Sequence, residues 1–255
     1  MEAKLTKEYG EKLEKIAAEY HGGQLEDMWI EKAGQDFEWP WIESHIPSNA
    51  HVLDLGYGDG HSFNNLKKLT LNKNLRVTVI EGASSLVEVA KKNSNTSIEV
   101  VNGFFESFES RFKFDVIIAS HVLEHVDNPI DLLKHLKRFL ADDGIILGIV
   151  PNSESIHRRL SVLLNLQERL DTLSERDHLV GHQRVYSLSS LRTDFLEAGL
   201  ILSESRGFFL KPFSNSQLIP YGLEIINSLL KVSDELPTEI CANIGFVCEL
   251  PPESN

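Results

Sequence analysis

Cysteine is nearly absent from this chain: 255 residues hold two, Cys241 and Cys248. Two thiols cannot build a disulfide framework or a four-thiolate zinc site, and their seven-residue separation in one apparent strand argues against a bond between them. There is no HExxH run and no cysteine pair at ligand spacing, so no metal site is expected. Basic charge is also scarce. Lys and Arg number 25 against 38 Asp and Glu, a net charge of −13. A body that acidic repels phosphate backbones, which argues against a nucleic-acid partner. No apolar run approaches the roughly 18 residues that would suggest a membrane span. The N-terminal stretch MEAKLTKEYGEKLEKIAAEY is charged and has no apolar h-region, so neither a signal peptide nor a membrane anchor is expected. The expected compartment is the cytoplasm.

What remains has the balance of a globular enzyme, 42% hydrophobic and 25% charged. A chain of this length buries about three-quarters of its surface and needs no staples. Residues 1–48 read as a helical lid: a loose stripe of Leu5, Leu13, Ile16 and Ala17, a break at His21-Gly22-Gly23, a second helix from Leu25 to Ala33, then FEWPWIESHIP with Trp39 and Trp41 around a proline. These tryptophans either roof a pocket or cap the core. From His51 to Asn152 five short apolar runs alternate with helical segments: HVLDLG, RVTVIEGA, SIEVVNG, FDVIIAS and GIILGIVPN. Such alternation predicts a parallel sheet with right-handed crossovers, and continuous apolar strands predict helices on both faces. In PIDLLKHLKRFLADDG the apolar spacing predicts a helix reaching Leu140, with Asp127 as its N-cap. Residues 153–185 read as a helical cap insertion. Residues 186–255 complete the sheet with strands at ILSESRGFFL and CANIGFVCEL, interrupted by a further insertion at 211–238. The expectation is a Rossmann-like, seven-stranded, mostly parallel sheet.

The strongest local signal is LDLGYGDGHSF, residues 53–63, directly after the first strand. Gly56, Gly58 and Gly60 let the backbone turn tightly and approach a ligand closely. A dinucleotide fingerprint needs Gly-x-Gly-x-x-Gly, and here His61 stands where its third glycine belongs. Asp54, two residues before the first glycine, repels phosphate oxygens and attracts an ammonium or sulfonium. This argues against a nicotinamide oxidoreductase.

The pattern resembles the glycine-rich first motif of the class I S-adenosylmethionine-dependent methyltransferases. Glu81 stands at the end of VIE, and SHVLEHV followed by Asp127-Asn128-Pro129 is typical of the family's fourth-strand region. The resemblance covers residues 49–152 and points to the bacterial small-molecule, UbiG-like group. It implies S-adenosyl-L-methionine as cofactor, S-adenosyl-L-homocysteine as product, and Asp54, Gly56, Tyr57, Gly58, Gly60, Glu81, Gly82, Gly103, Phe104, Phe105, Ser120 and His121 around the cofactor. Glu81 would accept from the ribose hydroxyls. One departure stands out. Phe104 occupies the place where the family often holds adenine with an Asp, so either Glu106 substitutes or the Phe104-Phe105 backbone serves while a ring packs on the purine; the plain alternative is that both rings are core.

The resemblance further implies methyl transfer to a small-molecule acceptor, most simply an oxygen of a natural product, sugar or anionic metabolite. N- or C-methylation and a non-catalytic cofactor-binding protein are the alternatives. An alcohol acceptor needs a base, and His121 and His182 are the candidates. His125, one helical turn after His121, would share its face. Glu124 reads as a structural acceptor. Half of the chain's ten arginines (158, 159, 169, 176, 184) fall in the cap, beside four acids, Glu168, Asp171, Glu175 and Asp177. Either Arg158 and Arg184, with Lys211, grip an anionic acceptor, or the acids consume the arginines as surface pairs whose loss hardly moves the melting temperature. Tyr186, Tyr20 and Trp29 complete the substrate-side candidates. The oligomeric state is not legible.

Overall fold

The apolar runs become strands because each is covered on both faces. In a computed structural model, which describes residues 7–22 and 26–252, they are β1 (His51–Leu55), β2 (Arg76–Glu81), β3 (Ile98–Asn102), β4 (Phe114–Ile118), β5 (Leu140–Pro151), β6 (Ile201–Phe208) and β7 (Asn243–Glu249). The order is β3-β2-β1-β4-β5-β7-β6. Strands β1 to β5 run parallel, and β7 enters antiparallel between β5 and β6. This is the expected seven-stranded, mostly parallel sheet.

The helices are α1 (Lys7–Gly22), α2 (Met28–Ser44), α3 (His61–Asn72), α4 (Ser84–Asn93), α5 (Pro129–Lys137), α6 (Ile156–Leu163), α7 (Glu175–Leu179), α8 (Leu188–Ala198), α9 (Asn215–Leu218) and α10 (Gly222–Val232). One side of the sheet buries Trp39, Ile42, Phe63, Leu66 and Leu86 from α2, α3 and α4. The other buries Leu132, Leu133, Leu136, Leu191 and Phe195 from α5 and α8. A third, smaller cluster joins α2 to the second insertion through Ile30, Phe209, Leu218, Ile226 and Leu230. Trp39 and Trp41 are buried in the core, so of the two readings of FEWPWIESHIP the capping one describes them.

Three local expectations need correction. The two segments read as a helix followed by an aromatic linker are one helix, α2, which continues through Pro40 because its buried side chains on both sides of the proline hold it to the sheet. Helix α5 ends at Lys137, short of Leu140: the Phe114 amide already donates to Phe139 O at 2.8 Å and Leu140 pairs with Phe114, so sheet pairing takes the chain before the helical pattern runs out. Its N-cap is Asn128, not Asp127, with the Asn128 side chain accepting from the Asp131 amide at 3.1 Å.

The topology fixes the site. β1 pairs with β2 on one side and β4 on the other. The connections leave in opposite directions there, and a crevice opens at the carboxyl ends of these strands. The glycine loop follows β1, Glu81 ends β2, and His121 follows β4.

Candidate active site

Gly60 caps α3 with φ +84, and its amide closes a turn on Tyr57 O at 2.9 Å. A side chain there would meet the Tyr57 hydroxyl at 2.8 Å. Gly58 differs. It has φ +54, and among the described residues nothing lies within 4 Å of where a Cβ would stand. Beneath it Asp54 is buried, and its carboxylate accepts from the Ser62 hydroxyl at 2.9 Å. Burial pushes its carboxyl up to about 7. A carboxylate so placed is short of a cation. Glu81 accepts from the Tyr57 and Ala83 amides at 2.8 and 2.7 Å, one on each oxygen, which leaves further lone pairs for hydroxyl donors. Burial raises its pKa as well. These residues fit an adenosyl amino acid: a backbone cradle with room, an acid for an ammonium and an acid for a ribose.

The wall beyond β3 is aromatic. Gly103 donates to Glu81 O at 3.0 Å and turns the chain toward Phe104 and Phe105. The Phe105 ring reaches within 3.8 Å of a Cβ placed on Gly56, and Phe104 packs beside Gly82. Both rings are half-buried, neither wholly core. Glu106 follows, its carboxyl raised by burial and by Asp127. Helix α1 lies over this wall. Tyr9 stands 5.2 Å from Phe104, Leu13 closes on Gly82, Glu14 accepts from the Ser85 hydroxyl at 2.5 Å, and Ile16 closes on Gly181 of the cap.

At the end of β4, Ser120 is half-buried and His121 takes φ +54, a left-handed conformation rare outside glycine. Its amide is held on Ile149 O at 2.8 Å. Residues 120–127 form consecutive turns rather than the helix expected, so His121 and His125 do not share a helical face. The His121 Nδ1 instead meets Glu124 Oε1 at 3.2 Å. Burial opposes the imidazolium, but the Glu124 carboxylate prevails and raises His121 to about 9. Glu124 is fully buried, and its other oxygen has no hydrogen-bond partner among the described residues. His125 lies against His182, ring centroids 4.7 Å apart and planes crossed at 74°. The His182 Nδ1 is 2.9 Å from Asp177 Oδ1. Glu124, His125 and His182 each offer a ligand atom, all within 4.8 Å of one another. Sequence reading missed this cluster because His182 lies 57 residues beyond His125 and no ligand spacing announces it.

The arginines expected at the substrate are engaged by the protein itself. Arg158 is buried and donates to Leu170 O, Thr172 O and Asp177 Oδ2 at 3.2, 2.8 and 2.9 Å. Arg184 donates to Leu123 O, Val126 O and Asp127 O, where it caps the turn after β4. Tyr186 is buried, its hydroxyl on Asp194 at 3.2 Å. The remaining cap arginines pair with acids: 159 with Glu154, 169 with Asp171, 176 with Asp27 and Glu31. Pairing with the four cap acids describes Arg158 with Asp177 and Arg169 with Asp171, the first of them buried rather than superficial; Glu154, Asp27, Glu31 and backbone carbonyls take the other three arginines. Lys211 stays half-buried beside His157, its ammonium lowered by burial to about 8. Trp29 packs on the α10 cluster rather than toward the glycine loop. The side chain of Tyr20 lies outside the described residues. No helix among the described residues is long and apolar enough to cross a membrane.

Residues 30–204 match the family model described as "Methyltransferase domain". The chain therefore belongs to the methyltransferase-domain family, within the class I S-adenosylmethionine-dependent methyltransferases. It is 28% identical over 128 residues to the mitochondrial ubiquinone biosynthesis O-methyltransferase of Schizosaccharomyces pombe, covering 48% of this chain and 45% of that one. The chain thus spans about half the length of the curated relatives it matches. Its fold is similar to a Haloferax volcanii methyltransferase solved with the Trm112 methyltransferase activator, with TM-score 0.64 and 15% identity over 93% of this chain and 98% of that one. It is also similar to the plantazolicin methyltransferase BpumL, solved with S-adenosylhomocysteine, with TM-score 0.55 and 16% identity over 96% of this chain and 98% of that one.

Proposed function

We propose that this protein methylates an oxygen of a small-molecule acceptor at the crevice between β1 and β4. The observation that carries the cofactor assignment is Asp54: buried, raised toward neutrality and two residues before the glycine loop that turns at Gly56, Gly58 and Gly60. Asp54 would hold the ammonium, Glu81 the ribose hydroxyls, and the Gly56-Tyr57-Gly58 backbone the chain between them. Phe104 and Phe105 would pack on adenine, and Ser120 and His121 would border the sulfonium. S-adenosyl-L-methionine, when bound, supplies a methyl group on a cationic sulfur and leaves as S-adenosyl-L-homocysteine.

The residues around that point position, shield and move a proton. Helix α1 and the cap, which meet at Ile16 and Gly181, support a lid that excludes water. Residues 1–48 and 153–185 are its two halves. His121, held as a cation by Glu124, suits an acceptor that is anionic or becomes so, and Lys211 adds a second positive group. His182 presents Nε2, because Nδ1 is committed to Asp177. With the cofactor bound, the methyl S–C bond would break as the O–C bond forms, and the acceptor's hydroxyl proton would pass to that nitrogen.

Isothermal titration with S-adenosylhomocysteine tests the cofactor assignment. Micromolar binding to the protein and none to Gly58→Val is the expected result. Binding of NAD(H) in its place would overturn it. Incubation with isotopically methyl-labelled cofactor and a panel of hydroxylated and carboxylated metabolites, read by mass spectrometry and NMR, tests the acceptor atom. A labelled N-methyl or C-methyl product would overturn the oxygen assignment.

A further inference from the structure

The strands β4, β5 and β6 end on one edge of the sheet. β6 runs parallel to β5, because β7 pairs antiparallel with both. β4 delivers His121 to this edge. β5 delivers Ser155 and helix α6, and β6 delivers Lys211 three residues past Phe208. Backbone bonds tie the three ends together: His121 N donates to Ile149 O, Asn152 N to Ala242 O and Ala242 N to Phe209 O, each at 2.8 Å.

Three polar groups on this edge lack a partner among the described residues. Ser155 is wholly buried, and its hydroxyl makes no hydrogen bond, not even to the α6 amides that an N-cap serine usually serves. The opening amides of α6 therefore have no side-chain cap. The His157 ring hydrogen-bonds the Lys211 backbone, while its Nδ1 is buried and unpaired. Lys211 forms no ion pair. The acids that bear on it, Glu31 and Asp177, are taken by Arg176 and Arg158. Unpaired buried polar groups are destabilising, and a ligand that completes them removes that cost.

We propose that Ser155, the first amides of α6 and Lys211 seat an anionic group of the acceptor, a carboxylate or a phosphate, and that His157 receives a hydroxyl beside it. The inference rests on the methyltransferase reading above and names its substrate class. A helix N-terminus offers N–H donors and partial positive charge. Lys211 adds a full charge and Ser155 a hydroxyl donor. His157 contributes the opposite polarity. Burial, Lys211 and Arg158 keep its ring neutral. With Nε2–H committed to the Lys211 carbonyl, Nδ1 presents a lone pair, which suits a hydroxyl and repels a bare anionic oxygen. Several donors beside one acceptor fit a carboxylate with a neighbouring hydroxyl, or a phosphate monoester that keeps one proton. The seat binds and orients, and takes no part in bond making.

Calorimetry of full-length protein loaded with S-adenosylhomocysteine tests this with three probes: salicylate, phenyl phosphate and the neutral salicylamide. At least one anion should bind about tenfold or more tighter than salicylamide, and which one does so separates carboxylate from phosphate. Lys211→Met and Ser155→Ala should each weaken that anion by about tenfold and leave salicylamide unchanged, while Lys211→Arg keeps most of the affinity. S-adenosylhomocysteine affinity within about twofold of the parent shows that the variants are folded. Equal binding of all three probes, no binding of any up to about 10 mM, or an anion affinity unchanged in Lys211→Met would overturn the seat. Loss of S-adenosylhomocysteine binding in the parent protein would overturn the methyltransferase reading instead. Methylation of neutral alcohols without anion preference would leave that reading standing and remove the seat, so the two failures are distinguishable.

Discussion

Asp54 is the residue whose chemistry depends most on what is bound beside it. Burial raises its carboxyl from the ordinary 3.8 to about 7. Between those values the folded, ligand-free protein keeps a proton that the unfolded chain has lost, so its stability falls as pH rises through that window and levels above it. An ammonium beside Asp54 requires the carboxylate. S-adenosylhomocysteine affinity should therefore rise from about pH 5 to about pH 8, with a proton released on binding. Calorimetry in buffers of different ionisation enthalpy measures both, and Asp54→Asn should weaken binding and flatten the profile. A pH-independent affinity in the parent protein would remove Asp54 from the cofactor site. Arg158 makes a different point. Its pair with Asp177 is enclosed, with 8% and 12% side-chain exposure. Removing one partner of such a pair destabilises by about 3–5 kcal/mol. Arg158→Met should lower the urea midpoint accordingly, where a surface arginine would leave it unchanged.

Helix α1 is the element whose role is most open to test. It buries Ala17 and rests on the body through Tyr9, Leu13, Glu14 and Ile16, each over the cofactor wall or the cap. A helix laid over the cofactor wall and the cap in this way suits a part that opens for exchange. Ser85→Ala removes the hydroxyl that lowers the Glu14 pKa and ties α1 to α4. It should raise the S-adenosylhomocysteine dissociation rate several-fold in stopped flow while the melting temperature moves by less than about 2 °C. An unchanged rate would mean that α1 is fixed structure. Helix α5 shows how an element's limits are set from outside. Its apolar spacing runs on to Leu140, yet pairing with β4 ends it at Lys137, since an unpaired buried strand edge would be the worse alternative.

At the scale of the whole molecule both cysteines are free and buried. Cys241 is pushed up to about 11 by burial, and Cys248 is raised further by burial beside Glu249. Neither thiolate forms near neutral pH, so the native protein should resist Ellman's reagent, with two thiols titrating in guanidinium. Rapid native reaction would show that the β6–β7 end of the sheet opens. The acidic surface and the seven-stranded body are properties of this same scale: the first is set by composition, the second by strand periodicity.

Much of this was legible without coordinates. The alternation of apolar runs with amphipathic segments dictates a parallel sheet, because continuous apolar strands must be covered on both faces. The glycine loop with Asp54 before it and Glu81 after it is local chemistry, read from neighbours in the chain. The cap was not legible in this way. Which arginine meets which acid, that Arg184 turns to backbone carbonyls and that Tyr186 faces the core depend on contacts between segments far apart in sequence. The meeting of Glu124 and His125 with His182 is decided the same way. Side-chain type fixes what each group can do, but only the packing of 181–184 against 121–127 brings the three together, through Gln183 and Arg184 bonding to the carbonyls of His125 and Leu123.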